Sequence, residues 1–186
     1  MKSIFTFLSV LTLSVFSSVQ SNGQGCSDLI ISEVIEGWSN NKAIEIYNPT
    51  AAAIDASDYG LVRFQNGSTT PGNITYLEGV TIEPYDVYVV VLDKRDPDGT
   101  SFEAPVWDEL QLQADVFVNP SYNDGQEVMY FNGNDAIAIV KDSGQTLVDV
   151  FGKLGDSLNP DGWGGYIDAE GEQAYSSQDH TLVSKA

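Results

Sequence analysis

Turn-forming clusters recur about every ten residues along most of this chain, a spacing that admits short strands and little else. Gly37-Trp38-Ser39-Asn40-Asn41, Asn48-Pro49, Asn66-Gly67, Glu83-Pro84, Asn132-Gly133-Asn134-Asp135 and Asp142-Ser143-Gly144 supply residues that favour turns. Between them lie short apolar and β-branched runs. Only residues 105–113 show helical spacing, with Pro105 suited to a first helical turn. A parallel α/β fold needs a crossover helix between its strands, and that series is missing. The expected class is therefore all-β: a β-sandwich with one short helix near 105–113.

The first pair of strands is read at 29–36 and 43–47. In the second, Ile44 and Ile46 share one face while Glu45 and Tyr47 share the other. The clearest strand is 85–92. Tyr85, Val87, Val89 and Val91 line one side and Tyr88, Val90 and Leu92 the other, which predicts a central strand with both tyrosines in or near the core. Further strands are expected at 60–64, 74–77, 80–82, 146–151 and 179–183. Residues 51–54 and 115–118 read as extended. Residues 127–131 and 136–140 read as a hairpin across Asn132–Asp135.

The start of the chain reads as a separate object. Met1-Lys2-Ser3 is a basic tip, 4–19 is uncharged, and Ser21 offers a small residue for cleavage. The expected organisation is a signal peptide at 1–21, a lead-in at 22–27 and one domain at 28–184. The product is then secreted, periplasmic or held at the cell surface, with no membrane span once the leader is gone. Cys26 is the only cysteine, so no internal disulfide forms. Gly23-Gln24-Gly25 fits a lipoprotein signal poorly, so lipid anchoring at Cys26 is the disfavoured alternative. The chain carries 27 acidic against 8 basic residues, a net charge of −19. Such a surface repels phosphate backbones and argues against direct nucleic-acid binding, while favouring solubility and association with divalent ions.

Glu33, Glu36, Asn41, Lys42 and Glu45 form the densest polar constellation. A hairpin brings its strands together, so Lys42 is expected to pair with Glu36 or Glu33 and to fix the loop and the edge. The same set, with Trp38 and Asn40, is the candidate interaction edge. Trp38 is read first as a cap on one end of the core and second, if exposed, as an anchor for a protein or glycan partner. Asp93, Asp96 and Asp98 around Gly99 suit a hard cation, although the full calcium loop is missing and Lys94 and Arg95 intrude; a solvated acidic loop is the preferred reading. Asn132, Asn134 and Asp135 form a weaker cation candidate and read better as turn formers bonding their own backbone. No cofactor other than calcium is suggested. His180 is the only histidine, and no Gly-x-Ser-x-Gly elbow occurs, so no catalytic residues are assigned.

Ile31-Ser32-Glu33-Val34-Ile35-Glu36-Gly37, followed by Asn40-Asn41-Lys42-Ala43-Ile44-Glu45-Ile46-Tyr47-Asn48, resembles the opening of the bacterial lamin-tail-like domain. Tyr59-Gly60-Leu61-Val62-Arg63, Tyr85-Asp86-Val87-Tyr88-Val89, Gly133-Asn134-Asp135-Ala136-Ile137-Ala138-Ile139-Val140, Leu147-Val148-Asp149-Val150-Phe151-Gly152 and Asp179-His180-Thr181-Leu182-Val183 continue the likeness in order, across 28–184. The resemblance implies an immunoglobulin-like β-sandwich. It also implies an accessory role in secreted proteins, beside nucleases, phosphatases or other hydrolases, without catalysis by the module. The expected function is a secreted, non-catalytic interaction or structural module whose partner is a protein or an extracellular polymer. The alternatives are a calcium-stabilised accessory domain associated with an extracellular nuclease or other secreted hydrolase and, more distantly, a metal-dependent hydrolase.

Overall fold

The hairpin expected near the start forms: β1 (Ile30–Glu36) and β2 (Lys42–Tyr47) pair antiparallel across the loop 37–41. The computed structural model describes residues 27–122, 126–155, 166–167, 173–175 and 177–184. The expected signal peptide at 1–21, most of the lead-in with Cys26, and the glycine-rich loop holding Trp163 lie outside them. The β1–β2 pairing is irregular, with a register shift between Ile31 and Glu33 at Ser32. Strict alternation places Ile31 on the face of Glu33 and Ile35. The bulge resets the parity: Ile31 and Val34 both enter the core, and Glu33 faces Glu45 across the pair.

Two sheets pack face to face. In the first, β13 (His180–Val183) flanks β1, while β2 pairs with β7 (Val87–Leu92), and β8 (Val116–Val118) runs parallel to β7. The second has the order β10 (Thr146–Phe151), β9 (Ala136–Lys141), β4 (Tyr59–Phe64), β5 (Thr75–Tyr76), all antiparallel. Short pairs complete the described strands: β3 (Ile54–Asp55) with β6 (Thr81–Ile82), and β11 (Tyr166–Ile167) with β12 (Gln173–Tyr175). This is the expected all-β, immunoglobulin-like sandwich.

Ile31, Val34, Ile44, Ile46, Val90 and Leu92 of the first sheet meet Leu61, Ile137 and Ile139 of the second. Burying each such side chain is worth about 1.5–3 kcal/mol. The outer face of the second sheet is apolar too: Val62, Phe64, Ala136, Ala138 and Val140 pack beneath Ile74, Val150 and Leu154. Polar ties also join the sheets. Asp149, at a second bulge in β10, accepts the Ile31 N–H at 2.7 Å. Asp28 accepts from Tyr59 Oη and from Lys141 Nζ, each at 2.7 Å.

Several expectations need correction. Residues 127–131 are not a strand. Both sides of β9 are taken, by β4 and β10, so no ladder is open to them. Instead Val128–Tyr130 makes a 3-10 turn that buries Val128 and Met129, with Phe131 buried beside them. The helix is one turn, α1 (Asp108–Gln111), and Pro105 lies before it. Tyr88 is half-buried, whereas Tyr85 is outside β7, 62% exposed, with φ 60° in the approach to the strand. The proposed interaction edge at Glu33–Glu45 is not an edge. β13 and β7 occupy the free sides of β1 and β2, leaving the loop and the sheet face accessible.

Candidate functional site

The loop joining β1 to β2 is held rigidly although it is short and polar. Lys42 Nζ donates to Glu36 Oε1 at 2.7 Å and to the Gly37 carbonyl at 2.6 Å. Both ionic side chains are nearly buried, so the charges are shielded from salt and water. The second oxygen of Glu36 accepts the Asp179 N–H at the entry to β13. Gly37 N–H donates to the Asn41 carbonyl at 2.9 Å, and a Cβ at Gly37 would lie 2.9 Å from that oxygen. Of the two expected partners of Lys42, Glu36 and Glu33, the structure selects Glu36, and the pair fixes the loop.

The two asparagines bind this loop to the segment before α1. Asn40 Nδ2 donates to the carbonyls of Phe102 (3.1 Å) and Ala104 (2.7 Å). Asn41 Nδ2 donates to the Trp38 carbonyl (2.7 Å), and its Oδ1 accepts the Trp107 N–H (2.8 Å). Lys94 Nζ, itself buried, donates to Glu103 Oε2 (2.6 Å) and the Pro120 carbonyl (2.7 Å). Burial is the largest single influence and pulls the Lys94 ammonium toward its neutral form, but the hydrogen bonds and charges of Glu103 and Tyr130 together outweigh it and raise the pKa.

These fixed loops leave aromatic rings in solvent. Trp38 is 70%, Phe102 86% and Tyr122 62% exposed. The preferred reading of Trp38 as a core cap is therefore overturned: its backbone is anchored on both sides, and the ring projects outward. Tyr122 meets Tyr130 edge to face at 4.9 Å between centroids. With Leu92, Met129 and Phe131 beneath, the rings surround an open groove of about 780 Å³ at this end of the sandwich. That size falls within the usual range of ligand clefts, about 300–1,000 Å³.

The groove floor rests on a buried pair. Arg63 Nη1 lies 3.2 Å from Asp135 Oδ2 and also donates to the Tyr130 carbonyl. Asp135 further accepts the N–H groups of Asn66 (2.7 Å) and Asn132 (2.9 Å). The Asn132–Asp135 turn thus bonds its own backbone, and Asp135 serves as an internal hub rather than a cation ligand. No carboxylate is among the described side chains that line the groove, and Glu36 and Asp135, which support it from below, are held by Lys42 and Arg63.

The candidate residues named from sequence divide between two places. Glu36, Trp38, Asn40, Asn41 and Lys42 build the groove end. Glu33 and Glu45 lie on the outer face of the first sheet, in a dimple of about 150 Å³ beside Leu110 and Gln113. Burial first and the neighbouring Glu45 second raise the Glu33 carboxyl. Glu45 Oε1 accepts the Ser32 hydroxyl at 2.6 Å. The Asp93–Asp98 loop does not assemble as a cation cage. Asp93 is held by Arg95 at 2.7 and 3.0 Å, and Asp96 accepts the Asp98 N–H at 3.0 Å. Among the described residues, no three His, Cys, Asp or Glu converge as a metal set, and no helix is long and apolar enough to cross a membrane.

Arg63, Phe102, Tyr122 and Tyr130 were not anticipated as site residues. Arg63 carried a signal, a lone cation in an apolar strand. The three aromatics carried none, since only the fold brings them beside Trp38. A family model described as Lamin Tail Domain matches residues 22–154. A search of curated proteins found no match.

Proposed function

The chain belongs to the lamin tail domain family, non-enzymatic immunoglobulin-like domains, and from that premise we propose that it is an exported interaction module which grips its partner in the Trp38 groove. One observation carries the reading. Trp38 is largely exposed although its loop is locked by the Lys42–Glu36 pair and by both asparagines. An exposed tryptophan on a preorganised loop is a natural binding anchor, because little conformational freedom remains to be lost on association. The chemistry of the groove suits binding, since its described lining is aromatic, apolar, amide and hydroxyl side chains with two cations already held by carboxylates beneath. The uncharged leader and its basic tip support export, and the net charge of −19 argues against polyanionic partners.

Photo-crosslinking tests this proposal. The full chain is made with a benzophenone amino acid in place of Phe102 and irradiated in its extracellular setting. The expected result is a crosslinked partner that disappears with Trp38→Ala. Crosslinks unchanged by that substitution place the partner elsewhere and refute the reading.

A further inference from the structure

We propose that the groove is a subsite for a neutral polysaccharide built of hexopyranose units. This deepens the interaction reading above and rests on it. The chain bears 27 acidic residues, yet the groove rim is formed by uncharged side chains: Trp38, Gln65, Ser101, Phe102, Tyr122 and Asn132. The cations at this end are neutralised, Lys42 by Glu36, Arg63 by Asp135 and Lys94 by Glu103. An acidic polymer therefore meets a repulsive molecule with no free cation in the groove to hold it. A basic partner finds no free carboxylate among these rim residues. The complementary occupant is uncharged.

The rim has two kinds of group. Trp38, Phe102 and Tyr122 offer largely exposed aromatic rings, whose faces are of the kind that packs on the C–H-lined face of a pyranose. Gln65, Ser101 and Asn132 supply amide and hydroxyl groups, and the side chains of these three make no hydrogen bond within the protein among the described residues. Sugars present both an apolar C–H face and a ring of hydroxyls, so this mixture suits them better than an apolar peptide, which leaves the amides unanswered. The groove is open, as a site for part of a polymer must be.

Affinity electrophoresis of the full chain in native gels tests the proposal. The gels contain hydroxyethylcellulose, galactomannan or dextran, with polygalacturonate as the acidic counterpart. Retardation by at least one neutral polymer is expected, with at least tenfold weaker affinity in Trp38→Ala and several-fold weaker affinity in Tyr122→Ala. Trp38→Ala keeps the parent melting temperature, and Tyr122→Ala, which also gives up its edge-to-face contact with Tyr130, lowers it by a few degrees at most, which separates lost contact from lost folding. No retardation in any neutral gel, retardation by polygalacturonate alone, or equal retardation of parent and Trp38→Ala overturns the saccharide assignment. Trp38-dependent sedimentation with phosphatidylcholine vesicles overturns it in favour of a membrane surface. A Trp38-dependent protein crosslink from position 102 without any glycan retardation removes the saccharide and leaves the interaction reading standing. Absence of both removes both.

Discussion

Replacing Lys42 with methionine tests whether the ion pair holds the Trp38 loop. The substitution keeps an apolar stem and deletes the ammonium. Glu36 Oε1 loses a partner at 2.7 Å, and the Gly37 carbonyl loses a donor at 2.6 Å. At an effective dielectric of about 20, two unit charges at this separation attract by about 6 kcal/mol, much of it offset by their removal from water. Deleting one partner of a buried pair costs about 3–5 kcal/mol, because the survivor stays desolvated. The side chains keep 9% and 8% exposure, which places the loss near the lower end, about 3 kcal/mol. For a domain of this size the melting temperature should fall by about 6–12 °C. Urea unfolding of the parent, Lys42→Met, Glu36→Gln and the double variant completes a double-mutant cycle, with a coupling of about 2 kcal/mol expected. Amide exchange in 37–41 should quicken in Lys42→Met well below the global unfolding energy. A Lys42→Met loss under about 1 kcal/mol, or single effects that add within about 0.5 kcal/mol, would refute the reasoning.

Asp135→Asn removes a carboxylate charge from beside the buried Arg63 guanidinium and should lower stability by about 3 kcal/mol in urea titrations; a near-neutral outcome would show that the Asp135 charge is not what holds Arg63 in place. The Asp28 cluster sets opposite pH limits. Burial pushes the Asp28 carboxyl up, but hydrogen bonds from Lys141, Tyr59 and the Leu29 N–H hold it below its ordinary value, so its contribution exists above the unfolded pKa and is lost as pH falls through the folded one. Burial first, then the bond to Asp28, pushes the Tyr59 phenol up to about 12, so its contribution is complete below the ordinary value of 10.0 and is lost as pH rises through about 12. Asp28→Asn should flatten the acid loss and bring the Tyr59 titration to lower pH in 295 nm absorbance; an unmoved phenol would contradict that geometry. Millimolar calcium should leave the melting temperature unchanged in the parent and in Asp96→Asn/Asp98→Asn, because Arg95 occupies both oxygens of Asp93 and the described carboxylates of this loop do not converge as a metal set; a calcium-dependent rise abolished by the double substitution would reinstate the loop as a site.

Part of the interior was legible because local and global demands agree. Residues 87–92 are apolar on both faces, and β7 lies inside its sheet, so composition alone placed it there. The turns at Asn66-Gly67 and Asp142-Ser143-Gly144 were legible from residues that tolerate positive φ, which they adopt. Residues 127–131 carry strand-like composition too. What decided their fate was the neighbours of β9, and a local pattern has no access to those. The bulge at Ser32 was hidden for a related reason, since it depends on the register against β2.

The sequence by itself determined the class, the order of the main strands and the pairing of Lys42 with a glutamate across the hairpin, because each follows from period-2 patterning, turn chemistry or proximity across one hairpin; the structure chose Glu36 over Glu33. The tertiary structure alone decided that Trp38 faces solvent, that Glu33 and Glu45 lie apart from the groove, and that Phe102 and Tyr122 stand at its rim. It also decided that Arg63 is neutralised by Asp135, 72 residues away. The physical reason is the range of the interactions. Alternation and turn preference act over a few neighbours, whereas the groove exists only after two sheets have closed on a common core and carried distant loops to the same end.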